Sequence, residues 1–139
     1  MTLYNSEILR LATTTAQFAR LPEPHASVEK RSPVCGSRVT VDVRVDHQGN
    51  IDALGLEVRA CALGQASAAL MAASAQGRSA GELESARDAL AAFLADIRPD
   101  PGEWPGLTLL APAVPHRARH ASILLAFEAV SEAARVAAH

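Results

Sequence analysis

The sequence predicts an α+β domain in which helices pack on one face of an antiparallel sheet. Valine alternates with polar residues from Arg38 to Asp46, and a second alternating run covers Leu54 to Arg59 after the turn His47-Gln48-Gly49-Asn50. A period of two on both sides of a short turn is the pattern of a β-hairpin. Stretches rich in Ala and Leu follow, and a chain of 139 residues is the size of one domain, residues 1–139, with one core. Hydrophobic residues make up 49% of the chain, with only three Phe, one Tyr and one Trp. The core is therefore expected to consist mainly of Ala, Leu, Val and Ile, small side chains that let helices approach closely.

From Asn5 to about Phe18, Ile8, Leu11 and Ala12 stand at helical spacing, with Asn5 or Ser6 as cap. Leu21-Pro22-Glu23-Pro24 ends that helix, and a loop is expected to about Pro33. The hairpin follows, one face of its first strand buried and the other wet, with Ile51 to Ala53 as its ragged part. An isolated hairpin is marginal, so a third strand or a helix must cover its apolar face. Ala62 to Gln76 has a strong helix composition with little polar face, and Gly77 stands where a left-handed cap belongs. Ser79-Ala80-Gly81-Glu82 fits a capping box, opening a helix that buries Leu83, Leu90, Phe93 and Leu94 and ends before Pro99. The proline-rich connection to Pro115 packs through Trp104, Leu107, Leu109 and Leu110. A last helix, from about Arg119 to Ala137, turns Ile123, Phe127 and Val130 inward.

The formal net charge is -2, with Lys and Arg interleaved among Asp and Glu, which argues against nucleic acid as the main partner. Met1 to Arg20 lacks the basic start and apolar run of a signal peptide, and no apolar stretch approaches the ~18 residues of a membrane span. A cytoplasmic protein without membrane attachment is expected. In that reducing compartment two cysteines are metal ligands or reactive thiols more readily than a disulfide.

Cys35 sits in Ser32-Pro33-Val34-Cys35-Gly36-Ser37, just before the first alternating strand; proline fixes the entry and Gly36 allows a sharp turn. Cys61 ends the second strand and opens the small-residue helix, where amide groups and the positive end of the helix dipole suit an anionic sulfur. Antiparallel pairing brings the start of one strand opposite the end of the next, so both thiols are expected at one end of the hairpin. For either cysteine alone, a buried inert thiol is the common alternative. His116-Arg117-Ala118-Arg119-His120 offers two imidazoles four residues apart, which on a helix share a face, although solvated surface histidines are the simpler account of that spacing.

The order of these segments resembles a known family. Pro33-Val34-Cys35-Gly36 before a valine-rich strand, Arg59-Ala60-Cys61-Ala62-Leu63-Gly64-Gln65-Ala66-Ser67-Ala68, and the Pro115 to Ser122 stretch with its His-Ala-Ser are similar to the U-type iron–sulfur scaffold proteins, IscU, SufU and the N-terminal part of NifU. The resemblance spans nearly the whole chain, including Leu3-Tyr4-Asn5-Ser6-Glu7-Ile8. It implies a three-stranded antiparallel sheet with packed helices, and a site where three cysteines and an aspartate hold a transient iron–sulfur cluster or zinc. The first two family cysteines match Cys35 and Cys61; the third matches His120, and the aspartate matches Ser37. Histidine ligation makes such a site less negative and raises its reduction potential. Ser37 is a poorer ligand than a carboxylate, and His116 or an external group is left to complete the set. Ala113-Val114-Pro115-His116-Arg117 keeps little of the stretch that a dedicated Hsp70-type chaperone reads in IscU, so the resemblance is closer to the SufU-like branch.

Three functions are consistent with this. The first is a scaffold or carrier, not an enzyme, that binds an iron–sulfur cluster or its metal through Cys35, Cys61 and His120 and passes it to recipient apoproteins. The second is a zinc-containing sulfur acceptor of a cysteine desulfurase, with Cys35 as acceptor. The third is a degenerate relative that serves as an interaction protein.

Overall fold

The computed structural model describes residues 4–33 and 36–138. Helix α1 spans Ser6–Thr13, and Asn5 caps it by accepting the Ile8 amide at 3.0 Å, which points Ile8 into the core. The hydroxyls of Thr13, Thr14 and Thr15 then donate to the carbonyls of Arg10, Leu11 and Ala12. Three successive back-bonds of this kind tighten the chain, and residues 14–17 form a 3-10 turn where a continuous helix was expected.

The sheet has three antiparallel strands in the order β1 (Ala26–Arg31), β2 (Arg38–Val45) and β3 (Ile51–Arg59). The register runs from Ala26↔Val43 to Arg31↔Arg38 on one side of β2 and from Arg38↔Arg59 to Val43↔Leu54 on the other, with an irregularity at Arg44/Val45. The expected ragged stretch is where the ladder slips, since Arg44 pairs with Ala53 and Val45 with Ile51 and Asp52 is left as the extra residue; the tight turn between β2 and β3 is held by Asp46, whose carboxylate accepts from the amides of Gln48 and Asn50. Strand β1 corrects the loop expected up to Pro33. Its inward positions are Ala26, Val28 and Lys30, and Lys30 reaches past the apolar layer to Glu132 at 2.9 Å. An edge strand with so little apolar surface carries almost no alternation signal.

Helix α4 (His120–Ala137) packs on the inner face of β1 and β2, burying Ile123, Phe127 and Val130 completely. The other face of β2 was expected to be wet, yet Thr40 and Asp42 are buried there. The chain after the 3-10 turn folds across that face: Ala19 O would lie 2.5 Å from a Cβ on Gly55, so β3 can pass beneath it only as glycine. Asp42, fully buried, accepts from Arg20 Nε at 2.6 Å, Ser27 Oγ at 2.7 Å, Leu21 N at 3.0 Å and Arg20 Nη2 at 3.1 Å. Burial alone would raise the carboxyl; the hydrogen bonds from Arg20, Ser27 and the Leu21 amide together outweigh it and hold Asp42 below the usual carboxylate range. The outer side of β3 is bonded by backbone from elsewhere: Leu56 N donates to Phe18 O, Ile51 N to Arg78 O, and Gly77 N to Ile51 O.

Helix α2 (Ala62–Ser74) is buried along nearly its whole length, as its lack of a polar face predicts. Gly77 follows it with φ +85°. Helix α3 (Ala80–Leu94) opens on the expected capping box, with Ser79 Oγ accepting from Glu82 N and Glu82 Oε1 from Ser79 N. In the proline-rich connection, Leu107–Ala113 forms 3-10 turns, and Trp104 is buried with Nε1 donating to Leu70 O at 2.9 Å and its ring edge-on to Phe127. Among the described residues no helix is long and apolar enough to cross a membrane.

Candidate functional site

All three strands end at one level, since Arg31, Arg38 and Arg59 occupy a single row across the sheet. Beyond that row, Ser32 N donates to Ser37 O at 2.9 Å and Gly36 N to Ser32 O at 3.3 Å, closing the connection from β1 to β2. Gly36 has φ +73°, the left-handed conformation that the sharp turn requires. Cys35 and Val34 lie outside the described residues, so the expectation that the two thiols share one end of the hairpin can be followed only from Cys61 and from the neighbours Gly36 and Ser37.

Cys61 is half-buried at the N-cap of α2, with extended backbone, and its sulfur makes no capping bond to the helix amides. The first helical bond, Gln65 N to Cys61 O at 2.9 Å, fixes the backbone from which the sulfur projects. The sulfur meets Ser122 in the first turn of α4, whose Oγ lies 3.7 Å from Cys61 Sγ and 3.0 Å from Ser37 Oγ. Ser37, Cys61 and Ser122 thus bring the start of β2, the start of α2 and the start of α4 to one point. Gly64 makes this approach possible, because a Cβ there would lie 2.5 Å from Ser122 Oγ and 2.7 Å from Ala60 Cβ. One turn further along, Ser67 Oγ donates to Ile123 O at 2.6 Å and locks α2 against α4.

His120, the first residue of α4, is half-buried, and its Nε2 lies 2.9 Å from Ala113 O. A carbonyl only accepts, so Nε2 carries the hydrogen, and in the neutral ring the lone pair is then on Nδ1. A ring held through one nitrogen by a backbone carbonyl is the usual support of a ligating histidine. His116 differs from expectation. It is exposed and non-helical, capping the 3-10 turn Arg117–Arg119, so the shared helical face with His120 does not form. A 3-10 turn has about three residues per turn, which rotates an offset of four out of alignment. Among the described residues, which leave out Cys35, no three His, Cys, Asp or Glu side chains cluster at metal-binding spacing. Ser37 is buried, and its hydroxyl shares a hydrogen bond with Ser122 Oγ.

Sequence reasoning gave no role to Ser122 or Gly64. A glycine inside an otherwise Ala-rich helix was the available signal, since it costs about 1 kcal/mol against alanine and calls for a close-approach explanation. A separate open groove of about 760 Å³ lies between the start of α3 and the Arg98 to Trp104 segment, and none of Ser37, Cys61, His120 or Ser122 lines it.

Neither a family model nor a curated protein matches the chain. Solved structures do. An iron–sulfur cluster assembly scaffold assigned to the SUF system of the thermophile Fervidobacterium islandicum AW-1 superposes with TM-score 0.86 at 18% identity, over 95% of this chain and 96% of that one, a likeness of fold. The nitrogen-fixing NifU-like protein (N-terminal) from Brucella abortus superposes with TM-score 0.89 at 38% identity, over 96% of this chain and 93% of its own. Identity at that level across the whole domain, on the same three-stranded architecture, means that the chain belongs to the NifU-like, U-type scaffold family.

Proposed function

We propose that the chain is a cytoplasmic iron–sulfur cluster assembly protein, a scaffold or carrier and not an enzyme, that holds a transient cluster or its metal through Cys35, Cys61 and His120. The observation that carries this reading is 38% identity to a NifU-like N-terminal protein over 96% of the chain. The donor chemistry fits: thiolate and imidazole suit both iron–sulfur clusters and zinc. Cys61 supports it through a sulfur not engaged in capping, and His120 through a ring already oriented by Ala113 O. The sheet register, which ends β2 and β3 together at Arg38↔Arg59, supports assigning the third ligand to Cys35 in the connection just before β2. When loaded, the cluster would be cargo for recipient apoproteins, with a cysteine desulfurase as the source of sulfur.

Metal analysis of the chain purified with and without air tests the reading. Iron with labile sulfide is the expected result. Stoichiometric zinc without sulfide would favour a sulfur acceptor for a desulfurase, in which case mass spectrometry after incubation with a cysteine desulfurase and cysteine should find persulfide transferred to Cys35; persulfide on Cys61 alone would refute that assignment. Neither metal nor persulfide would leave an interaction protein that keeps only the fold.

A further inference from the structure

We propose that Ser122 is a positioning residue for Cys61, acting with Ser37 as a chain of two hydroxyls that presents one hydrogen to the cysteine sulfur. The inference rests on the reading of Cys61 as a ligand and says how this chain prepares that sulfur. Ser122 is 1% exposed and Ser37 5%, so bulk water does not serve either hydroxyl. A buried hydroxyl is costly without partners. Ser122 Oγ has two of them, Ser37 Oγ at 3.0 Å and Cys61 Sγ at 3.7 Å, and one hydrogen to share between them.

The direction of the chain follows from what each atom can do. A Cys61 thiol can donate to Ser122 Oγ, leaving the Ser122 hydrogen for Ser37. A sulfur that has given up its proton to bind a metal can only accept. The Ser122 hydrogen then belongs to Sγ, and Ser37 becomes the donor in the 3.0 Å contact. Loading the sulfur thus fixes the direction of both hydrogen bonds. The place of Ser122 is fixed from both sides, by the missing Cβ of Gly64 and by the Ser67 bond to Ile123 O. The same geometry gives Ser37 a role other than ligation: it completes the donor chain from the far side.

Hydrogen bonds to ligating sulfurs draw charge away from the metal and are among the factors that set the potential of such centres. The test uses the full chain loaded with Co(II) alone. Ser122→Ala should move the thiolate-to-cobalt absorption to longer wavelength and weaken cobalt binding by about 10-fold, the scale of second-sphere changes. Ser37→Ala should move the band the same way by less, and Ser122→Thr, which keeps the hydroxyl, should keep the wild-type band. Melting of the metal-free proteins separates these effects from folding, and if Ser122→Ala does not fold, Ser37→Ala carries the test. A wild-type band that neither alanine variant shifts overturns the inference and leaves the metal reading standing. No thiolate-to-cobalt band in the wild type overturns the metal reading, and this inference with it.

Discussion

Asp42→Ala removes the acceptor on which the segment crossing the outer face of the sheet is fastened. Its carboxylate accepts four hydrogen bonds, from Arg20 Nε, Arg20 Nη2, Ser27 Oγ and Leu21 N. The Arg20 side chain is 46% exposed, so its charge returns to water on loss of the partner, and its share is at most about 1 kcal/mol. The Leu21 amide and Ser27 hydroxyl each lose a bond to an ionised acceptor, worth about 1.5–3 kcal/mol apiece. The total is about 3–7 kcal/mol, which for a domain of this size lowers Tm by about 10–30 °C. Arg20→Ala should cost much less. Thermal melting followed by circular dichroism checks both. A Tm within about 3 °C of wild type for Asp42→Ala, or an equal loss for Arg20→Ala, would refute the reasoning, because the burden would then rest on the exposed charge. The pH dependence has a definite sign. Asp42 is held below its unfolded value of about 3.9, so its contribution is complete above that pH and fades as pH falls through the lower folded value. The gap in Tm between wild type and Asp42→Ala should therefore narrow in acid.

Gly64→Ala places a methyl 2.5 Å from Ser122 Oγ; overpacking of about 1–3 kcal/mol should outweigh the gain of about 1 kcal/mol in helix propensity. Gly81→Ala is the matched control, since its nearest atom would be Ser79 Oγ at 3.9 Å, and it should stabilise slightly in the same urea titration. His120→Ala should weaken zinc binding by at least about 10- to 100-fold, while His120→Cys keeps it and His116→Ala leaves it unchanged; loss of binding in His116→Ala alone would move the ligand to the other histidine. Ser79→Ala breaks the capping box of α3 and should cost about 1 kcal/mol in a denaturant melt.

What could be read from the residues alone follows from where the signals are strong. Strands β2 and β3 carry valine and leucine at every second position, and α3 announces itself by its capping box. Strand β1 shows the core only Ala26, Val28 and the stem of Lys30, so its pairing is a consequence of β2 already being in place. The burial of Asp42 was illegible for a similar reason: an alternating strand looks half wet until another segment crosses it, and that segment is placed by partners 22 residues away in sequence. At the site, Cys61 at a strand-to-helix junction was visible from composition. The contact of Ser122 with it spans 61 residues and depends on how α2 and α4 meet, which no local pattern encodes. His116 leaves the expected helical face for a local cause, since the chain there winds as a 3-10 turn and not as the first turn of a helix.

The backbone bonds along the outer side of β3 bear on how this protein can meet others. With Leu56 bonded to Phe18, and Ile51 to Arg78 and Gly77, part of that border is already taken up by the chain's own backbone. The remaining border is β1, six residues long and carrying Glu29, Lys30 and Arg31 in succession. Short, charged borders resist the indiscriminate strand pairing that leads to aggregates. A protein approached repeatedly at the end of its sheet, as the proposed role in cluster transfer requires, is thereby kept from sticking along the sides.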